Sequence, residues 1–160
     1  MRRKPSTAAR ARVEPLAVLP VFLNLEGKRV VLIGGSEAAA WKGELLAAAG
    51  AHVQVYASTV EPEMEVLLAG TPVNGSLTWH ARPWALDIFP GAACVIADAE
   101  DDAQAQAMGC AARAAGVPIN VIDKPAFCQF QFGSIVNRSP VVVSISTAGA
   151  APILGQAVRR

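Results

Sequence analysis

A run of short apolar segments, each ending in a turn and separated from the next by a helix-prone stretch, constrains this chain more than any other feature. Residues 28–33 (KRVVLI) end at Gly34-Gly35. From Glu37 to about Ala49, Ala, Leu and Trp recur at helical spacing, and Gly50 stops them. Residues 52–56 (HVQVY) alternate as a strand does. Residues 61–68 read as a short helix ending near Gly70, and 77–80 as a third strand. Residues 93–97 (ACVIA) read as a buried strand, 101–115 as a helix ending at Gly116, and 118–122 (PINVI) as another buried strand. Short buried strands alternating with helices specify a parallel sheet with right-handed crossovers. No repeat of solenoid type interrupts the pattern.

After Asp123 the pattern changes. Residues 127–136 and 140–146 read as two successive extended segments, with Asn137-Arg138-Ser139-Pro140 as the turn between them. This predicts a second, strand-rich module. A last helix is expected to start near Ala151-Pro152 and to be still running at Arg160, which implies a natural chain that continues.

Composition excludes several classes of protein. With 52% hydrophobic and 17% charged residues in 160, the chain is globular, with room for one domain and a small second module. No apolar run approaches the roughly 18–20 residues of a bilayer span. Five bases and no acid fall in the first twelve residues, leaving nine bases against thirteen acids in the rest. The body therefore lacks the charge of a nucleic-acid binder, and residues 1–18 read as a basic, solvated tail. That tail has no apolar core of the secretory kind. Three cysteines, Cys94, Cys110 and Cys128, without a CxxC pair, point to reduced thiols and a cytoplasmic protein. His52 and His80 are far apart, and no metal-ligand spacing is present.

The turn Gly34-Gly35-Ser36-Glu37-Ala38-Ala39 stands between the first strand and the first helix, where a dinucleotide fingerprint belongs. Gly34 can make the tight turn and Ala39 can let the helix lie close to the strand. Amides near Glu37 and Ala38 would then face a pyrophosphate at the positive helix end. Ser36 takes the place of the middle glycine of the pattern and narrows the approach, though its hydroxyl can donate. After the second strand, Ser58 and Thr59 are the candidates for the ribose hydroxyls. No Arg stands there for a 2′-phosphate, which favours NAD over NADP.

From Leu19 onward the motifs resemble a known family. They are Leu19-Pro20-Val21-Phe22-Leu23, the turn running on to Trp41-Lys42, the acidic stretch Asp98-Ala99-Glu100-Asp101-Asp102, Asn120-Val121-Ile122-Asp123, Arg138-Ser139-Pro140 with the strand to Thr147, and Gly149-Ala150-Ala151-Pro152. In order and spacing they resemble the precorrin-2 dehydrogenase and ferrochelatase module of siroheme synthase, over residues 19–160. Ser36, Trp41, Gly133, Ala148 and Ala151 depart from that pattern, and the family's C-terminal helical part is not within residues 1–160. The resemblance implies an α/β fold with a Rossmann-like parallel sheet in the order 3-2-1-4-5, followed by a small strand-rich dimerisation module. Beyond the basic tail over 1–18, it implies an NAD-binding domain over 19–125 and a dimerisation module with the start of a helical region over 126–160.

It further implies oxidation of precorrin-2 to sirohydrochlorin with NAD as acceptor, Fe2+ as a transient substrate where chelation follows, and a homodimer. Asp123 is the candidate acid/base, at the carboxyl end of the fifth strand where open α/β sheets bind ligands. Asn120 is the candidate for the nicotinamide carboxamide or for satisfying the strand end. Lys124 and Arg138 are candidates for the carboxylates of the tetrapyrrole. Asp101 and Asp102 read as caps of the following helix. Two non-catalytic alternatives stay open: a nucleotide-sensing module, and a dimerisation remnant.

Overall fold

The computed structural model describes residues 13–72 and 74–146. The residues fall into two compact units, one spanning 23–132 and the other containing 133–146. The larger unit holds a five-stranded sheet in the order β3-β2-β1-β4-β5, all neighbours parallel. Its strands are β1 (Arg29–Ile33), β2 (His52–Tyr56), β3 (Ser76–His80), β4 (Val95–Ala97) and β5 (Ile119–Val121). Its helices are α1 (Glu37–Ala48), α2 (Pro62–Ala69) and α3 (Asp102–Ala114). The expected fold class and strand order are both present.

The central and β5 side of the sheet is covered on both faces, which is why β1, β4 and β5 are buried almost throughout. At the other edge, His52 and Gln54 of β2 pair with Ser76 and Thr78 of β3 as polar positions. Val30 and Leu32 of β1, Val53 and Val55 of β2 and Ile96 of β4 pack under α1 and α2. Val31, Ile33, Val95, Ala97, Ile119 and Val121 point the other way, onto Ala105, Met108 and Ala112 of α3. Ala39 is fully buried, so the first turn of α1 does lie close on the sheet. Helix starts follow the sequence: Ser36 caps α1 by accepting from the Ala39 amide at 3.2 Å, and Asp101 caps α3 by accepting from the Gln104 amide at 2.7 Å.

Two stretches differ from expectation. The link from β3 to β4 carries only a single 3-10 turn, Leu86–Ile88, but its Ile88 and Phe89 are buried as deeply as strand residues. Residues 127–132, expected to belong to a strand, are not part of a ladder. After a 3-10 turn at Pro125–Phe127, Cys128, Gln129 and Phe130 bond to the free edge of β5 through mixed contacts. The Gln129 amide donates to Ile119 O at 2.9 Å, and the Gln129 side chain accepts from the Ile119 amide at 3.1 Å. Side chains complete what a sixth strand would do, so the edge is covered without extending the sheet.

The smaller unit contains an antiparallel hairpin, β6 (Ser134–Arg138) and β7 (Val141–Ile145), joined by Ser139 and Pro140. The turn predicted over 137–140 is therefore narrower, because Asn137 and Arg138 still pair with Val142 and Val141. Val141, Val142 and Val143 remain 46–60% exposed in the single chain. The helix expected from Ala151-Pro152, and most of the basic tail, lie outside the described residues.

Candidate functional site

A cleft of about 370 Å³ opens at the carboxyl ends of β1, β2 and β4, a size typical of small-molecule sites. It is lined by Gly34, Gly35 and Ser36 from the turn after β1, by residues 56–61 after β2, by Asp98 and Glu100 after β4, and by Pro83, Trp84, Gln104 and Met108. Of the expected cofactor residues it gathers Gly34, Gly35, Ser36, Ser58 and Thr59. The two glycines are required by close approach. Gly34 has φ 112°, and a Cβ there would stand 2.7 Å from Asp98 Cβ. A Cβ at Gly35 would stand 2.5 Å from Thr59 O. The turn is thus clamped between the loops that follow β2 and β4.

Ser36 has two tasks in that clamp. Its hydroxyl caps α1 and donates to the Asp98 carboxylate. Glu37 and Ala38 are exposed at the start of α1. The Glu37 amide is already engaged, donating to Glu61 Oε2 at 2.9 Å, while the Glu61 amide donates to Gly35 O at 2.8 Å. A side-chain carboxylate of the chain itself therefore sits on the helix end that favours anions. Sequence reasoning missed Glu61 and Asp98 as site residues. The acidic stretch beginning at Asp98 and the place of β4 beside β1 are both expected from the sequence; the contact of the Asp98 side chain with Gly34 and Ser36 is not.

The remaining expected residues stand elsewhere. Asp123 follows β5 with φ 57° and is exposed, and the Lys124 amide donates to Val121 O at 3.2 Å to close that turn. Asn120 is buried, and its Nδ2 donates to Phe130 O at 2.9 Å and approaches Cys128 Sγ at 3.4 Å, so it ties the covering segment to β5. Lys124 Nζ pairs with Asp102 Oδ1 at 2.7 Å. Arg138 is exposed on the hairpin, where Nη1 donates to Asn137 O at 3.0 Å. The half-buried Lys42 of α1 is a further cation near Asp123: burial lowers its pKa, and the Asp123 carboxylate and Cys128 pull it partly back.

The thiols and imidazoles have structural partners. Cys128 accepts from the Val121 amide at 3.2 Å and donates to Val121 O at 3.1 Å, and burial raises its pKa. Burial pushes Cys94 up to about 11, which keeps it a thiol. His52 Nδ1 contacts Ser76 Oγ and His80 Nε2 contacts Gln54 Oε1, both at 2.8 Å. His80 also stacks on Tyr56 with ring centroids 4.6 Å apart.

The family of NAD(P)-binding domains matches residues 21–134. Over 140 residues the chain is 39% identical to the siroheme synthase of Nitrosomonas eutropha, and over 141 residues 42% identical to that of Thiobacillus denitrificans. Each alignment covers 88% of this chain and 29% of the relative. This chain belongs to the NAD(P)-binding family of siroheme-synthase N-terminal modules. The module spans less than a third of the length of those relatives. A solved structure, SirC, precorrin-2 dehydrogenase, superposes with a TM-score of 0.67 at 20% identity, covering 89% of this chain and 68% of that one, and so shares the fold. In the module the matched residues run from before β1 to the first residue of β6, so they include the cleft, the Asp123 turn and the segment covering β5. No described helix is long and apolar enough to cross a membrane.

Proposed function

We propose that this chain oxidises precorrin-2 to sirohydrochlorin with NAD as hydride acceptor, the dehydrogenase step of siroheme synthesis. The observation that carries the reading is Asp123: an exposed carboxylate at the same edge of the parallel sheet as the glycine-turn cleft, in a chain 42% identical to a siroheme synthase.

The residues fit a dinucleotide. The turn is held to glycine at Gly34 and Gly35 by its neighbours, α1 begins there with its positive end, and Ser58 and Thr59 offer hydroxyls. The described lining of the cleft includes Glu61, Asp98 and Glu100 and no Lys or Arg, and the Arg82 guanidinium over the Tyr56 ring is paired with Asp87; this supports NAD over NADP. When bound, the nicotinamide supplies the acceptor for one hydride from the reduced macrocycle. The chain's own part is to hold the reactants together and keep water out. We assign to Asp123 the proton that leaves as the hydride departs, so the substrate loses two hydrogens and two electrons in all. The same carboxylate is our assignment for the pyrrole protons released if Fe2+ is the next substrate. We also take the active form to be a homodimer.

A non-catalytic NAD-binding or dimerisation module is the second reading; the Glu61 carboxylate, held where a pyrophosphate would compete for the Glu37 amide, favours its dimerisation form. The deciding experiment titrates NAD by tryptophan fluorescence and follows precorrin-2 turnover by the colour of sirohydrochlorin. Saturable NAD binding with turnover is expected. Asp123→Asn should lower turnover by at least about a hundredfold and leave NAD affinity unchanged. Parent-level turnover in that variant sinks the assignment of Asp123, and binding without turnover in the parent selects the second reading.

A further inference from the structure

Lys42 lies in the second turn of α1, half-buried, with Nζ 4.0 Å from the ring centroid of Phe132 and 4.4 Å from that of Trp41. Phe132 ends the segment that covers β5, so α1 and the chain beyond β5 meet around one ammonium. Among the described residues the ion pairs are Arg82–Asp87 and Lys124–Asp102, and Lys42 is in neither. No hydrogen bond to its three donors is present among those residues either. The other arginines of the larger unit are engaged. Arg29 bonds the carbonyls of Ile88 and Pro90, and Arg113 bonds Cys110 Sγ.

Partial desolvation makes this ammonium costly to keep charged, and its pKa is lowered accordingly, while the two aromatic faces offset part of that cost. An incoming carboxylate would fill its empty donors in surroundings where a charge-assisted bond is stronger than in water. The indole of Trp41 beside it is 53% exposed. Asp123 is close enough to act on Lys42 electrostatically. An exposed apolar ring, an unpaired cation and a carboxylate in one patch match the chemistry of a flat macrocycle with an acidic rim.

We propose that Lys42 anchors a peripheral carboxylate of the tetrapyrrole beside Asp123, with Trp41 offering its face to the ring system. The inference rests on the dehydrogenase reading and deepens it. Lys124 and Arg138, the cations expected for this task, are held by Asp102 and placed on the hairpin respectively. Lys42 does not line the glycine-turn cleft, so anchoring and cofactor binding separate cleanly.

The test uses Lys42→Met, Lys42→Gln and Lys42→Arg in the 160-residue chain, with sirohydrochlorin binding read by tryptophan quenching alongside steady-state kinetics. For the neutral variants, the sirohydrochlorin Kd and the precorrin-2 KM should both rise by at least about tenfold. The kcat should stay within about twofold and the NAD Kd should not move, whereas Lys42→Arg should recover most of the loss. Unchanged tetrapyrrole affinity in a folded neutral variant overturns the anchor, as does a fall in kcat at constant KM. A parent chain that binds NAD but no tetrapyrrole overturns the dehydrogenase reading, and the anchor with it.

Discussion

At Asp123 the backbone takes φ 57°, a left-handed conformation that costs most residues about 1–2 kcal/mol and that Asp and Asn tolerate best. Asp123→Asn therefore removes the charge and keeps the turn, whereas Asp123→Ala adds strain. Urea unfolding should place the Asn variant at the parent's stability and the Ala variant about 1 kcal/mol below it. Equal stabilities would mean that the turn does not constrain this residue. Glu61 poses a different question, because its carboxylate holds the Glu37 amide at 2.9 Å where a pyrophosphate would compete for it. It caps the start of α2 without a side-chain bond to that helix, so its loss should not unfold the chain. Glu61→Ala is expected to tighten NAD by roughly two- to fivefold, and weaker binding in calorimetry would show that the contact supports the site instead. Gly34, Gly35 and Ser36 are legible in the sequence because turn chemistry is local. Asp98, Glu61 and Lys42 are not, because each acquires its partner only when strands or segments distant in sequence become neighbours.

At the scale of elements, the cleft depends on how closely three loops approach one another. Gly35 lies against Thr59 O and Val60, and the Glu61 amide bonds Gly35 O. A methyl group at Gly35 must push the loop after β2 away and break the clasp that sets the mouth of the cleft. Gly35→Ala should lose NAD binding by at least about tenfold while α1, β1 and the far-UV spectrum persist, since such overpacking typically costs 1–3 kcal/mol. Retained affinity would place the cofactor elsewhere. The strands β1, β4 and β5 can be read from the sequence because burial on both faces leaves uninterrupted apolar residues, and β2 because its alternate positions His52 and Gln54 are less buried. The segment after Asp123 cannot. Its Phe130 and Phe132 pack against the α1 side of the core, as a strand residue would. Apart from the Gln129 amide on Ile119 O, however, its bonds to β5 run through the side chains of Gln129, Asn120 and Cys128 rather than through a ladder. Hydrophobic pattern reports burial and does not distinguish those two ways of satisfying an edge. The 3-10 link between β3 and β4 shows the same limit, since Ile88 and Phe89 are core residues without periodic neighbours.

At the scale of the whole molecule, the hairpin β6–β7 raises the issue of what covers it. An isolated two-stranded hairpin is at best marginally stable in water. This one presents Val141 at 60%, Val142 at 47% and Val143 at 46% exposure in the single chain. In β7, Val141 and Val143 share one face and Val142 stands on the other, so apolar surface is offered on both sides. A second copy pairing through this strand would bury that surface and give it the neighbours a lone hairpin lacks, which is the physical content of the proposed homodimer. Sedimentation equilibrium should then report twice the 16.6 kDa chain mass for the parent. Val141→Lys combined with Val143→Lys, which puts two like charges on one face, should return the single-chain mass. The same variant should still bind NAD, because every residue lining the cleft belongs to the other compact unit. A parent that sediments as a single chain at high micromolar concentration, or a charged variant that stays double, would leave the exposed valines to some other partner and remove the dimer from the functional account.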